Sequence, residues 1–140
     1  MKSSPRVGTT GEFQFVVNDQ YVIDFATGGM PAVLSTPKLI GLIERTARQT
    51  LAPFLESNER SVGTEIDLRH VAPTPEGQEV TISVRVVHAV DRAVTFHIEA
   101  RDRQEVIARG LHKRAIIQVE SFSRRVQDKA LPAAARRDGH

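Results

Sequence analysis

The sequence predicts an α+β fold in which a five-stranded antiparallel sheet wraps around one long central helix. Residues 34–55 carry apolar side chains at three- and four-residue steps, which is the spacing of an amphipathic helix. One segment before this helix and four segments after it alternate apolar and polar residues, as half-buried strands do. Because short turns join the last four strands, we expect these strands to pair as antiparallel hairpins.

Both ends of the predicted helix are marked in the sequence. Ser35 and Thr36 are favourable N-cap residues, and Pro37 suits the first helical position, where a missing N–H costs nothing. Pro53 marks the end, because proline cannot donate to a continuing helix. Between these points the apolar stripe consists of Leu39, Ile40, Ile43, Ala47 and Leu51.

Glu44 lies on this apolar stripe, four residues after Ile40 and three before Ala47. A carboxylate among core residues loses hydration unless it is paired or its pKa changes. In a structural interpretation, Glu44 sits at the edge of the stripe and pairs with Arg48 one turn later. In a functional interpretation, it projects into a groove and takes part in chemistry.

The predicted strands are residues 12–18, 61–71, 79–90, 93–101 and 105–120, and residues 121–129 form a short surface helix. In strand 61–71, Gly63 is predicted on the face turned away from the helix. The residues predicted to face the helix are Val62, Thr64, Ile66, Leu68 and His70. Residues 19–30 form an unusually apolar connection, which either packs under the core or acts as a lid.

Five strands around one central helix constitute the hotdog architecture. Such proteins usually dimerise, because a single layer leaves one side of the helix thinly covered, and we therefore expect a homodimer. Gly41 costs about 1 kcal/mol relative to alanine in mid-helix, which indicates a close contact with the sheet or a partner. Gly110 indicates a bulge or a close backbone approach in the last strand. We expect one domain over residues 1–130 and a disordered tail over 131–140.

The composition limits the classes of function. With 140 residues, 40% of them hydrophobic and 26% charged, the chain suits one globular core. Because it has neither a signal-peptide pattern nor a membrane-length apolar run, we expect a cytoplasmic protein without a membrane partner. Basic residues gather near the end without any nucleic-acid-binding motif, so we expect no nucleic-acid partner. The chain has no cysteine, which excludes disulfides and thiolate sites.

Three residues carry candidate chemistry. If the helix packs on the sheet, Glu44 and His70 look toward each other and form a carboxylate–imidazole acid/base pair. Thr36 adds a hydroxyl beside the free amides of the helix start, which suit a carbonyl oxygen that gains charge. Together they suit acyl transfer or hydrolysis. The structural alternatives are that Thr36 is only an N-cap and that His70 is a satisfied histidine.

The remaining ionisable residues do not indicate a metal or cofactor. His88, His97 and His112 lie on separate strands, and we interpret them as surface or structural residues. No His/Asp/Glu cluster has the spacing of a zinc site, and no glycine-rich phosphate loop is present. The sequence therefore predicts no metal and no cofactor.

Several segments together resemble the fluoroacetyl-CoA thioesterase-like hotdog proteins. They are VLSTPKLIGLIERTA, LAPFL, SVGTEIDLRHVAPTPEGQEV and GLHKRAIIQVESF, so the resemblance runs from about Val33 to Lys129. It implies a homodimeric hydrolase of acyl-CoA thioesters, with coenzyme A as part of the substrate. By position it implies the catalytic residues Thr36, Glu44 and His70, in which Glu44 attacks the carbonyl or activates water and His70 transfers protons. Thr36 then orients the carboxylate.

By position the resemblance also implies that Gly63 and Arg114 belong to the site, and we predict a substrate-binding set of Gly63, Thr64, Arg114 and Phe25. Arg114 would bind the CoA phosphates or brace the site. The chain departs from the fluoroacetyl enzyme before the helix, where residues 19–32 are shorter than the region that supplies its aromatic lid. Fluoroacetyl selectivity is therefore not carried over. The alternative function is a non-catalytic hotdog module that binds acyl-CoA or another hydrophobic ligand. A hydratase is disfavoured, because its aspartate–histidine signature is missing.

Overall fold

The structure, a computed structural model, describes residues 1–132 and confirms the predicted fold class and order of elements. The elements are β1 (Thr10–Val16), α1 (Thr36–Leu51), β2 (Glu59–His70), β3 (Glu79–Val90), β4 (Ala93–Arg101), β5 (Val106–Gln118) and α2 (Val119–Ala130). A 3-10 turn, Ala52–Phe54, extends the end of α1. The tail was predicted over residues 131–140. From residue 133 onward it lies outside the described residues, so its disorder stays a prediction.

The sheet has the order β1-β3-β4-β5-β2, and every neighbouring pair is antiparallel. Strands β1 and β2 therefore form its two edges. Helix α1 packs on one face and contacts β1, β2 and β3, and apolar side chains of β3 and β4 are fully buried in the core. None of the helices within residues 1–132 combines the length and the apolar character that a membrane span requires.

The hairpin between β3 and β4 has the predicted bounds at both ends. Asp91 and Arg92 form its two-residue tip, and Asp91 adopts a left-handed backbone conformation with φ of 55°. Aspartate tolerates this conformation better than most residues, which explains why the turn forms here.

The predicted facing of β2 is wrong for its first half. Its pairing with β5 shifts register between Gly63 and Glu65, so that Thr64 is an extra residue in a β-bulge. Before the bulge, Ser61 and Gly63 face the helix side: Ser61 is buried, and Gly63 lies against Glu44. Because the sequence pattern runs through the bulge without interruption, the inserted residue could not be recognised from alternation alone.

Two glycines were expected to mark close contacts. A Cβ on Gly41 would meet nothing within 4 Å in the described chain, so the expected contact with the sheet is wrong. A contact with a partner remains a prediction. A Cβ on Gly110 would lie 2.0 Å from the carbonyl oxygen of Asp67, so the close backbone approach is confirmed. The pairing of β2 with β5 keeps its register at Gly110, so no bulge forms there.

We expect Gly110→Ala to lower the free energy of unfolding by about 3 kcal/mol, because its methyl group would collide with backbone rather than with a movable side chain. Urea denaturation measures the effect. Arg109→Ala, at an exposed neighbour on the same strand, is the control and should change stability by less than about 0.5 kcal/mol. Equal urea midpoints for the two variants would contradict the prediction.

Candidate active site

A threonine and a histidine meet where the start of α1 lies over the end of β2. The Oγ1 of Thr36 lies 2.7 Å from the Nδ1 of His70, within hydrogen-bond distance. Ser35 is the N-cap residue, and no side chain caps the helix. The Thr36 hydroxyl is therefore engaged with the imidazole and is not an N-cap group.

His70 is held in a half-buried environment. Burial lowers the pKa of its imidazole below the usual value, and the Ala72 backbone opposes this shift. The neutral ring is therefore favoured near neutral pH. Its second nitrogen, Nε2, is buried and has no hydrogen-bond partner within the described residues. Such an atom is uncommon in a folded protein and usually has a functional or structural cause.

A cavity of about 270 Å³ adjoins this pair. Three of its apolar side chains, Phe25, Met30 and Val71, are otherwise exposed, although apolar groups of this size are most often buried. The predicted binding residue Phe25 thus lies beside Thr36 and His70. The sequence analysis did not identify Met30 or Val71. Two features of the sequence could have identified them: Met30 ends the apolar connection, and Val71 directly follows His70.

Glu44 lies at a second place, at the edge of the apolar face of α1. Its side chain is 45% exposed, and its Oε2 is 3.8 Å from the Nη1 of Arg114 on β5. The same oxygen would be 2.5 Å from a Cβ on Gly63. The structural interpretation is thus correct about the edge position, but within the described chain the cation paired with Glu44 is Arg114 and not Arg48.

The guanidinium of Arg114 is buried, with only 5% of its side chain exposed. Its Nε donates to the Ser61 hydroxyl at 2.9 Å, and its Nη2 donates to the Ser61 carbonyl at 2.8 Å. Burial lowers the pKa of Arg114, and the Glu44 carboxylate raises it. Of the two roles left open by the sequence, this environment favours bracing the site over binding phosphate from solvent.

Two further residues complete the description of this region. His112 is buried beside Arg114 and stacks on Phe96, so it is not a surface residue. Thr64, predicted to bind substrate, is exposed at the bulge, and its hydroxyl donates to the Lys113 carbonyl at 3.2 Å. The structure therefore brings Gly63, but not the Thr64 hydroxyl, into contact with Glu44.

The predicted residues thus form two groups, Thr36–His70 and Glu44–Arg114. Thr36 and Glu44 are eight helical residues apart, which corresponds to a rise of about 12 Å along α1. Glu44 and His70 form neither a hydrogen bond nor an ion pair with each other in the part of the chain described. The expected pairing of this carboxylate with this imidazole is therefore not seen within one chain.

Comparison with known proteins identifies the family. The family model described as fluoroacetyl-CoA-specific thioesterase matches residues 16–120, which is three quarters of the chain. The chain belongs to the fluoroacetyl-CoA-specific thioesterase family. A curated relative, the fluoroacetyl-CoA thioesterase of Streptantibioticus cattleyicolor, is 33% identical over 137 residues, which cover 92% of this chain and 97% of the relative. The resemblance found in the sequence is thus confirmed.

Solved structures agree with this family assignment. A structure of the fluoroacetyl-CoA thioesterase matches with a TM-score of 0.83 and 30% identity, covering 93% of this chain and 100% of the other. A hot-dog-like protein from Thermanaerovibrio acidaminovorans matches with a TM-score of 0.84 and 22% identity, covering 90% of this chain and 93% of the other. The second match supports the hotdog fold alone.

We expect Gly63→Ala to lower thioesterase activity by about 100-fold, because its methyl group would displace the Glu44 carboxylate from its place beside Arg114. The fold should survive, since the flexible Glu44 side chain can move away. A thiol-release assay and a thermal melt measure the two effects. Ser83→Ala, at an exposed position on β3, is the control. Wild-type activity in a folded Gly63→Ala protein would contradict the prediction.

Proposed function

We propose that this family member hydrolyses a small acyl-CoA thioester to the free acid and coenzyme A. The observation that carries the proposal is the hydrogen-bonded Thr36–His70 pair beside a cavity of about 270 Å³. The apolar side chains of Phe25 and Met30 on this open pocket suit the apolar part of an acyl group. The curated relative, whose name specifies fluoroacetyl-CoA, has a substrate with such a group.

In the proposed reaction, Thr36 orients the His70 imidazole through Nδ1, and the imidazole transfers protons. Because no side chain caps α1, amides of its first turn remain available to stabilise the developing oxyanion of the thioester carbonyl. Glu44 attacks this carbonyl or activates water. Either route breaks the C–S bond, adds the elements of water and releases the thiol of coenzyme A.

The separation of Glu44 from His70 supports a homodimer with composite sites. In this arrangement the carboxylate of one subunit serves the Thr36–His70 pair of the other. The half-exposed carboxylate of Glu44 is the group that one subunit would supply to the pocket beside Thr36 and His70 of the other. The open space beside Gly41, on the same side of α1 as Glu44, leaves room for a partner helix.

Strand β2 offers an edge for this dimer, because only its β5 side is paired. Two copies related by a two-fold axis would extend the sheet by antiparallel pairing of their β2 strands. If Asp67 of each subunit lies at the two-fold axis, Ile66 lies opposite Leu68 of the partner subunit, and both side chains are on the same face of the extended sheet. It also places the partner's His70 opposite the bulge at residues 63–64, beside Glu44.

We expect purified protein to release thiol from short acyl-CoA substrates and Glu44→Ala and His70→Ala to lower kcat/KM by at least about 100-fold without unfolding. A chromogenic thiol assay over acyl chains of increasing length measures this, with His88→Ala, an exposed histidine on β3, as the control. Calorimetric binding of acyl-CoA without thiol release would instead support a non-catalytic binding module.

Mixed dimers test whether the site is composite. A dimer of one Glu44→Ala subunit and one His70→Ala subunit retains one intact site only if each site combines groups of both subunits. Random reassociation of equal amounts should therefore recover about a quarter of wild-type activity, because half of the dimers are mixed and each of these has one active site. Activity no higher than that of the separate variants would show that the site lies within one chain.

A further inference from the structure

His112 lies between two groups that together fix its protonation. Its Nδ1 is 2.9 Å from the carbonyl oxygen of Glu65, which can only accept a hydrogen bond. Its Nε2 is 3.2 Å from the Nη1 of Arg114, which can only donate. Nδ1 must therefore carry the proton and Nε2 must accept, so the ring is neutral. Burial, with 1% of the residue exposed, keeps water from competing for either nitrogen.

The hydrogen bond to His112 completes the anchoring of Arg114. Ser61 accepts from Nε and Nη2, which holds one side of the planar guanidinium, and His112 accepts from Nη1 on the other side. Nη1 has two N–H groups, and one remains on the side of Glu44, whose carboxylate oxygen is 3.8 Å away. Rotation of the guanidinium would therefore move the cation that Glu44 faces.

We propose that His112 is a positioning residue of the thioesterase site, whose Nε2 holds the Arg114 guanidinium in the orientation that supports the Glu44 carboxylate. This inference rests on the proposed function, in which Glu44 carries the chemistry. His112 itself touches neither substrate nor the reacting atoms in this scheme. It acts through Arg114, as groups that orient the ligands of a metal site do.

The charges around His112 are consistent with this role. Burial lowers the pKa of His112, the Glu65 carbonyl raises it, Arg114 lowers it and Glu44 raises it. Arg48, on the next turn of α1 after Glu44, is a second cation close enough to lower the pKa of Arg114. A protonated His112 would turn an N–H toward a guanidinium that has no acceptor, which explains why the neutral form is required.

Two amide substitutions separate the roles of the ring nitrogens. In His112→Gln the side-chain amide reaches the place of Nε2 and offers an acceptor to Arg114. In His112→Asn it reaches only the place of Nδ1 and retains the donor to Glu65. We expect the Gln variant to stay within about threefold of wild type in kcat/KM and the Asn variant to lose about 10- to 100-fold, mainly in kcat.

The division of the loss between kcat and KM gives a readout that a merely structural role would not change. In His112→Asn we expect kcat to fall while KM stays within about twofold of wild type, because a less constrained Arg114 no longer holds the Glu44 carboxylate in its reacting position. The Gln variant should match wild type in both constants. Ser61→Ala, which removes another anchor of the same guanidinium, should lower kcat in the same way and serves if the Asn variant does not fold.

An NMR measurement tests the positioning without relying on activity. The buried Nε–H of Arg114 should exchange slowly with water in wild type and His112→Gln, and faster in His112→Asn. Equal exchange and equal kcat values for the two variants would overturn the inference, as would equal impairment of both. A wild-type protein that releases no thiol would instead overturn the proposed function, and the exchange comparison would still decide the role of His112.

Discussion

A guanidinium buried between the sheet and the helix is the constraint on which the arrangement of the site depends. A cation out of water is costly unless its donors find acceptors, so each neighbour of Arg114 has a defined place. Ser61 from β2 accepts two hydrogen bonds, His112 from the same strand as Arg114 accepts one, and Glu44 supplies the opposite charge from α1. The arginine thus ties three elements together. The bulge in β2 is part of this arrangement, because it turns both Ser61 and Gly63 toward the helix.

The geometry of one helix explains why the Thr36–His70 pair lies away from Glu44. Residues 36 and 44 share one side of α1 but differ in height by about two turns, and β2 runs beneath them with Gly63 near one and His70 near the other. Neither the helix nor the strand can bend enough to close this gap while the core stays packed. A two-fold axis would bring the Glu44 end of one subunit to the His70 end of the other, and this is the physical basis of the composite site that we propose.

Much of this fold follows from local pattern, whereas the site depends on features without a local signal. The Ser35–Thr36–Pro37 run predicts where α1 begins, and alternation on either side of the Asp91–Arg92 tip predicts the bounds of β3 and β4, because both reflect short-range rules. The bulge is invisible in the sequence, since Val62 and Thr64 continue the alternation of Ile66 and Leu68. Because Gly110 could mark a bulge, the sequence did not determine which face of the sheet His112 occupies. The pairing of β5 with both of its neighbouring strands determines it. The partner of Glu44 was also unpredictable, because Arg114 is distant in sequence.

Part of the apolar wall beside His70 comes from a segment that lies outside the named strands of the sheet. Isolated bridges join Val22 to Leu34 and Val33 to Pro75, while Phe25 and Met30 project between these attachments without belonging to the sheet. Side chains there can change in size or polarity while the packed interior and the buried arginine stay as they are. Members of such a family can therefore diverge first in which molecules they accept, while the reaction itself stays the same.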